Sequence, residues 1–540
     1  MSGTKTGGEW VVEALRAEGV RHVFGIPGVH NLAIYDALLR KGSGIRHVLA
    51  RHEQGAAFMA DGYARASGRP GVVVATTGPG ATNVLTPLVE SYAGSQPVLT
   101  LVSDIPAALI GRDTGALHEV VNQIDCFRPM SRWAETIREA SGFAPAVQRA
   151  FELFRSARPG PVSLSLPTDE LMTRARSRIN DPVGRPPACD RALIADAAQR
   201  LARARRPLLV AGGGVVSAGA ESELRALARR LGAPVISTVM GRGVMPETDP
   251  LWAGVLSNKY ASQPLLKTAD VVLAVGCRFA HRSTQGLLLN LSFRPDQALL
   301  HLDIDPAVIG KLFPATLGIV GDARDGLGAL AAALGPGAPA AEWTAEQIAE
   351  RRAARSPRWE PATARLIETL RTALPADAIV VNDQTGLNYW MEWHFPVLEP
   401  RTFLYPVGSA TLGYAVPAAI GAKIAQPERA VVAVVGDGGF MFSVNELATA
   451  VKYRLGIVFV VLNDERFGAI KYLQEAMFAG RWGETDLANP DFVALGHAFG
   501  AASERVLDVN ALGPAIRTAL TRPGPTLLEL QVGVLPPWEL

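Results

Sequence analysis

Asp437 closes the apolar run 431–435 within Gly436-Asp437-Gly438-Gly439, and Asn463 closes a second apolar run, 457–462, 26 residues further on. If both runs are strands of one right-handed βαβ unit, with a helix over 443–453 as the crossover, their ends lie about 4.8 Å apart. A carboxylate and a carboxamide can then reach one point as ligands of a hard cation. Magnesium usually takes only one or two protein oxygens and fills its octahedron with water and phosphate oxygens, so a phosphorylated ligand is implied. Gly436, Gly438 and Gly439 let a phosphate approach the backbone, and the N-terminus of the next helix favours its charge. The plain alternative has Asp437 capping a helix or turn and Asn463 merely ending a strand. Two strands, each ending on such a residue in a GDG…N frame, favour the pair.

The elements that must hold these residues recur along the chain. Short apolar runs such as VVVATTGPG, PVLTLVSD, RPLLVAGGG, DVVLAVGCRF, ALLHLDID and AIVVNDQ alternate with helical patterns. This alternation predicts an α/β fold with parallel sheets, and runs apolar on both faces predict strands covered by helices on each side. A chain of 540 residues exceeds one hydrophobic core. Linker-like stretches at 178–192 and 334–343 divide it into three domains, expected at 1–178, 190–335 and 356–540. Ligands in such sheets gather at the carboxyl ends of strands.

Composition narrows the partners. Lys+Arg number 53 against 51 Asp+Glu, with the signs interspersed, which argues against a nucleic-acid or membrane-surface partner. Three well-separated cysteines, no apolar leader and no membrane-length apolar run lead to the expectation of a cytoplasmic protein.

With GDG followed by Asn463, the sequence resembles the thiamine diphosphate-dependent enzymes. The resemblance implies that Asp437, Asn463 and the backbone carbonyl of Glu465 hold Mg2+ on the cofactor's diphosphate, with Phe467 nearby. It also requires a carboxylate against the aminopyrimidine ring. RHEQGAAFMADGYAR supplies Glu53 at a strand–helix junction, where an acidic residue in the first helical turn would otherwise be unremarkable. This wording resembles acetolactate synthase and its relatives, in which that glutamate shares a proton with the ring and activates the cofactor. The turn TTGPGATN resembles the pyrimidine-side loop, bringing Thr76, Pro79, Gly80 and Asn83 to the cofactor. Leu412 matches the apolar wedge that bends thiamine diphosphate; its alternative is an ordinary core leucine. The resemblance covers the whole chain as pyrimidine-binding, middle Rossmann-like and diphosphate-binding domains. It implies a homodimer or homotetramer in which Glu53 faces the diphosphate half of a partner.

The implied reaction is decarboxylation of a 2-oxo acid to an enamine, followed by carboligation as in acetolactate synthase. The alternative is protonation to an aldehyde, as in the guanidino-oxopentanoate and benzoylformate decarboxylases. Three departures bear on that choice. Leu117-His118-Glu119 replaces a Phe-Gln-Glu run, Arg278-Phe279-Ala280-His281-Arg282 lacks both aspartates of the flavin-containing members, and Lys471-Tyr472-Leu473 stands where a tryptophan restricts the acceptor. His30, His118, Glu119, Lys471 and Tyr472 are therefore candidates for the substrate pocket, with His118 also a candidate proton donor. The competing account makes the histidines exposed loop residues. FAD is a candidate for the middle domain through Gly212–Gly214, TVMGRG and HLDIDP, although a Gly-rich turn alone is a weak signal. A dehydrogenase would leave Glu53, Asp437 and Asn463 without a role, and a non-catalytic homologue would have no reason to keep all three.

Overall fold

The computed structural model describes residues 2–40, 42–284, 291–335, 341–533 and 535. Of the linker expected at 334–343, residues 336–340 lie outside the described residues, as do residues 1 and 536–540 at the ends of the outer domain spans.

Three six-stranded parallel sheets account for the alternation. The first runs, in spatial order, Arg46–Leu49, His22–Gly25, Gly71–Ala75, Val98–Asp104, Val162–Pro167, Trp133–Thr136. The second runs Trp252–Val255, Val235–Ser237, Pro207–Ala211, Val271–Val275, Ala298–Asp303, Leu317–Val320. The third runs Phe403–Leu404, Ile379–Asn382, Val431–Gly436, Ile457–Asn463, Thr526–Gln531, Ala502–Val506. Numbered in chain order within each sheet, the first and third sheets both read 2-1-3-4-6-5 and the middle one reads 3-2-1-4-5-6. The last is the strand order of dinucleotide-binding sheets. Central strands such as Pro207–Ala211 and Ile457–Asn463 are buried throughout, so their sequences are apolar without alternation until the closing Asn463. Among the described residues no helix is long and apolar enough to cross a membrane.

The outer domains meet through matching helices. Glu53–Ser67 and Ala415–Ala425 each follow the second strand of their own sheet, and they pack on one another. A Cβ at Gly62 would strike the Ala418 backbone, and one at Gly421 would strike the Met59 carbonyl. Glycine at both crossings lets the backbones touch, and one apolar cluster runs from Val48 and Phe58 through Ala418 and Ile420 to Val431 and Phe459.

Two local expectations change. The helix expected over 443–453 is divided into a 3₁₀ turn Val444–Glu446 and Leu447–Lys452, and a separate short helix, Asp437–Met441, precedes it. Glu446 is buried in this break, where its carboxylate accepts the N–H groups of Arg51 and His52 from the first domain. A tertiary contact thus fixes a bend that local propensity does not encode. The turn after Ala75 also tightens into a short helix, Pro79–Asn83, entered through Gly78 at φ 68°, a backbone region that disfavours a side chain.

Candidate active site

The third sheet brings Asp437 and Asn463 together as its register requires. Val431–Gly436 pairs in parallel with Ile457–Asn463, Gly436 opposite Leu462, so the two residues emerge at adjacent strand ends. Asn489 Nδ2 donates to Asp437 Oδ2 at 2.6 Å and to Asn463 Oδ1 at 3.2 Å. The two oxygens therefore converge on one point. Asn463 Nδ2 donates to the buried Glu529 Oε1 at 2.8 Å, which turns the carboxamide oxygen toward Asp437. Glu465 adopts φ 56°, and its carbonyl accepts Leu487 N–H at 2.8 Å, leaving one lone pair of that oxygen for another partner. Gly438 admits Phe467 beside it: a Cβ would lie 2.6 Å from the Phe467 ring.

The electrostatics of this edge suit a cation. Burial raises the Asp437 carboxyl above its ordinary range against the Asn489 and Gly438 donors, and Asp464 is pushed up to about 7 by burial and then by the charge of Asp437. A divalent ion held by Asp437, Asn463 and the Glu465 carbonyl would stabilise both anions. Among the described residues no group of three or more His, Cys, Asp or Glu side chains is arranged to hold a metal. The donor set here is of a different kind: carboxylate, carboxamide and carbonyl.

The first sheet gathers a second group. Glu53 opens the Glu53–Ser67 helix, behind an N-cap made by His52, whose Nδ1 accepts Gln54 N–H at 3.1 Å. Asn83 Nδ2 donates to Glu53 Oε2 at 2.9 Å, and a Cβ at Gly80 would lie 3.3 Å from Glu53 Oε1. The Pro79–Asn83 turn thus cradles the carboxylate. Just before this turn, Thr76 Oγ1 is buried against Gly28 with no hydrogen-bond partner among the described residues. His30 Nδ1 lies 2.9 Å from Thr77 Oγ1, and the His30 and His118 rings meet edge to face at 5.5 Å. Burial, and then the neighbouring His118, lower the His30 pKa, so this imidazole is neutral more readily than usual. His118 itself sits at φ 65° with its carbonyl packed against Gly78.

Other candidates fall elsewhere. Glu119 Oε2 accepts Thr114 N–H, Thr114 Oγ1–H and Ala116 N–H, so that oxygen braces its own loop. Lys471 Nζ pairs with Asp486 at 2.9 Å and lies over the Trp482 ring, while the Tyr472 hydroxyl accepts from Arg358. Both belong to the Gly468–Met477 helix, in which no residue is buried. Leu412 is half-buried in a turn leading into the Ala415–Ala425 helix. Among the described residues, the hydrogen bonds of Glu53 and those of Asp437 share no partner. Asn489 and Glu529 escaped the sequence reading, since LANPDF and LLELQ carry no spacing signal.

The middle domain assembles its three motifs around a cavity of about 510 Å³, lined by Gly213, Gly214, Thr238, Arg278 and Asp303 with Arg158 from the first domain. That volume suits a nucleotide-sized ligand. Burial and the nearby Arg278 and Arg132 charges push Arg158 down to about 10, and an anion in the cavity would favour both cations.

The chain matches the descriptions thiamine pyrophosphate enzyme, N-terminal TPP binding domain, over residues 5–126; central domain, over 194–330; and C-terminal TPP binding domain, over 383–530. It is 40% identical over 537 residues to a probable 2-ketoarginine decarboxylase of Pseudomonas aeruginosa, covering 98% of this chain and 94% of that one. It is 35% identical to a probable acetolactate synthase large subunit of Methanocaldococcus jannaschii, covering 97% of this chain and 92% of that one. It is 34% identical to the acetolactate synthase isozyme 2 large subunit of Escherichia coli, covering 98% of this chain and 96% of that one. With two polar clusters at the carboxyl edges of like-ordered outer sheets and likeness along nearly its whole length, the chain belongs to the acetolactate synthase-like thiamine diphosphate-dependent enzymes.

Proposed function

We propose that the enzyme decarboxylates a 2-oxo acid and releases an aldehyde. The observation that carries this branch is the His30–His118 pair beside the Thr76–Asn83 turn, two proton carriers on the edge that bears Glu53. The 40% identity to a probable 2-ketoarginine decarboxylase supports the same branch. Carboligation to an acetolactate-type product is the second reading, favoured by likeness to an acetolactate synthase large subunit over 98% of this chain and 96% of that one.

Thiamine diphosphate, when bound, supplies the carbon nucleophile and the electron sink for the pair freed as carbon dioxide leaves. Around it, Asp437, Asn463 and the Glu465 carbonyl would hold Mg2+, with Gly436, Gly438, Gly439 and Phe467 lining the diphosphate side. Thr76, Pro79, Gly80 and Asn83 would line the pyrimidine side, where Glu53 would hold a proton, and Leu412 would support the cofactor from below. His118, backed by His30, would deliver a proton to the former carbonyl carbon of the substrate. Glu119 acts by bracing the His118 loop, and Lys471 and Tyr472 sit at the rim. We assign the middle cavity to the dinucleotide FAD in a structural role, with the domain limits 1–178, 190–335 and 356–540 as expected.

Among the described residues of one chain the Glu53 and Asp437 groups share no hydrogen-bond partner, which supports a site completed by a second copy in a homodimer or a tetramer of such dimers. Exposed Val29, Leu32, Leu117 and Val121 border the first edge, and exposed Met441, Phe442, Ile470 and Phe478 border the third. These apolar side chains suit an interface. Three unpaired cysteines support a reducing, cytoplasmic setting.

The test is product analysis with a panel of 2-oxo acids in the presence of thiamine diphosphate and Mg2+. Aldehyde with stoichiometric carbon dioxide is expected; an acyloin or acetohydroxy acid as the main product would move the assignment to the second reading.

A further inference from the structure

Asp383 lies directly after the Ile379–Asn382 strand, which runs between Phe403–Leu404 and Val431–Gly436 in the third sheet, and is fully buried. Its Oδ1 accepts Gly413 N–H at 3.2 Å and Gln384 N–H at 2.9 Å, and its Oδ2 accepts Ala415 N–H at 2.9 Å. Burying a carboxylate without a cation is costly, and backbone donors are what offset that cost here. On its other side a Cβ at Gly439 would come within 3.0 Å of Asp383 Oδ1. One carboxylate therefore touches both the turn that carries Leu412 and the turn that follows Asp437.

The same segment is anchored at two further points by buried acids of the first domain. Glu90 Oε2 accepts Gly408 N–H, Ser409 N–H and Ser409 Oγ–H at 3.1, 2.8 and 2.9 Å. Tyr414 Oη donates to Asp61 Oδ1 at 3.0 Å. Arg65 pairs with both Asp61 and Glu90, which joins the two anchors into one network. Leu412 itself is only half-buried, and Gly413 holds φ 77°, where a Cβ would lie 2.6 Å from Phe442 Cβ. Packing around Leu412 does not by itself fix this turn.

We propose that Asp383 is a positioning residue, which sets the Leu412 turn against the Gly436–Gly439 turn and so fixes how Leu412 meets the cofactor, while Glu90 and Asp61 tie that turn to the domain bearing Glu53. The proposal rests on the reading of Leu412 as the support beneath thiamine diphosphate. Asp383→Asn keeps the shape but replaces one acceptor with a donor that faces an N–H.

The experiment compares wild type, Asp383→Asn, Leu412→Ala and the double variant. Amide hydrogen exchange over 408–415 is read on the full chain without cofactor, and thiamine diphosphate–Mg2+ affinity, kcat and KM are read with it. Asp383→Asn should speed exchange in 408–415 about tenfold, as expected for losing one charged hydrogen bond, while exchange in the middle domain stays unchanged. It should lower cofactor affinity and kcat with little change in KM for the 2-oxo acid, and adding Leu412→Ala should cost less than the two single losses combined. Wild-type exchange in Asp383→Asn, or fully additive losses, would overturn the proposal. If Asp383→Asn does not fold, Gly439→Ala presses a methyl against the same carboxylate, and the same exchange signature is expected. A wild type that does not bind thiamine diphosphate would sink the cofactor reading alone, because exchange in the cofactor-free chain still decides whether Asp383 holds the turn.

Discussion

The first and third sheets share one strand order, and their polar residues stand at matching places. Glu53 and Leu412 follow the second strand of each, the Thr76–Asn83 and Gly436–Gly439 turns follow the third, and His30 and Asp383 follow the first. Yet the first edge carries groups suited to proton transfer, and the third carries buried oxygens and glycines suited to a cation and a diphosphate. The fold supplies the positions, and in the function proposed above the side chains on them divide one task into binding and proton handling.

Removing each half should fail differently. Asp437→Ala should weaken thiamine diphosphate–Mg2+ binding by more than the roughly 10–100-fold that losing an outer partner of a metal ligand costs, and turnover with it. Calorimetric titration and product assay would read this, and retained affinity would break the division. Glu53→Gln should keep the cofactor bound but lower kcat by about 10² to 10⁴-fold, the range for a general acid–base group. A Glu53→Gln protein that no longer binds cofactor would place Glu53 with the binding half. His118→Ala should cost less, about 10² in aldehyde release, and should raise the share of carboligated product; an unchanged product ratio would remove His118 from proton delivery.

The smallest effect concerns the seam between the halves. Burial pushes the Glu446 carboxyl up to about 7 against donors from Thr449, Arg51 and His52. The unfolded chain releases that proton near the ordinary carboxylate value, whereas the folded chain keeps it. Glu446 therefore lowers stability as pH rises from about 4.5 to about 7, by on the order of 1–3 kcal/mol, and adds no slope above that window. Denaturant unfolding at pH 5 and pH 8 should show a smaller pH difference for Glu446→Gln than for wild type. Asp383, pushed up to about 6 by burial, slopes the same way in both proteins, so the difference between them isolates Glu446.

What was legible in the sequence was whatever the chain states locally. Asp437 and Asn463 announce themselves because buried strands end abruptly on them, and three parallel sheets follow from runs without polar alternation. Glu446 reads as an ordinary helical acid, because its partners Arg51 and His52 lie nearly 400 residues away. Asn489 holds both proposed ligand oxygens from a stretch with no motif, and Arg158 reaches the middle cavity from another domain. Lys471 and Tyr472 stand on a helix with no buried residue, where within one chain their side chains meet Asp486, Trp482 and Arg358, contacts that no local pattern announces.

The central claim is that one working site joins the Glu53 edge of one copy to the Asp437 edge of another. Co-expressing Glu53→Gln chains with Asp437→Ala chains tests it directly, since each parent alone should retain no more than about 1% of wild-type activity. Random pairing in a two-fold dimer should restore about a quarter of wild-type activity, because half the dimers are mixed and each mixed dimer carries one intact site. Mixed dimers with no activity above the parents would contradict the account and return both edges to a single chain.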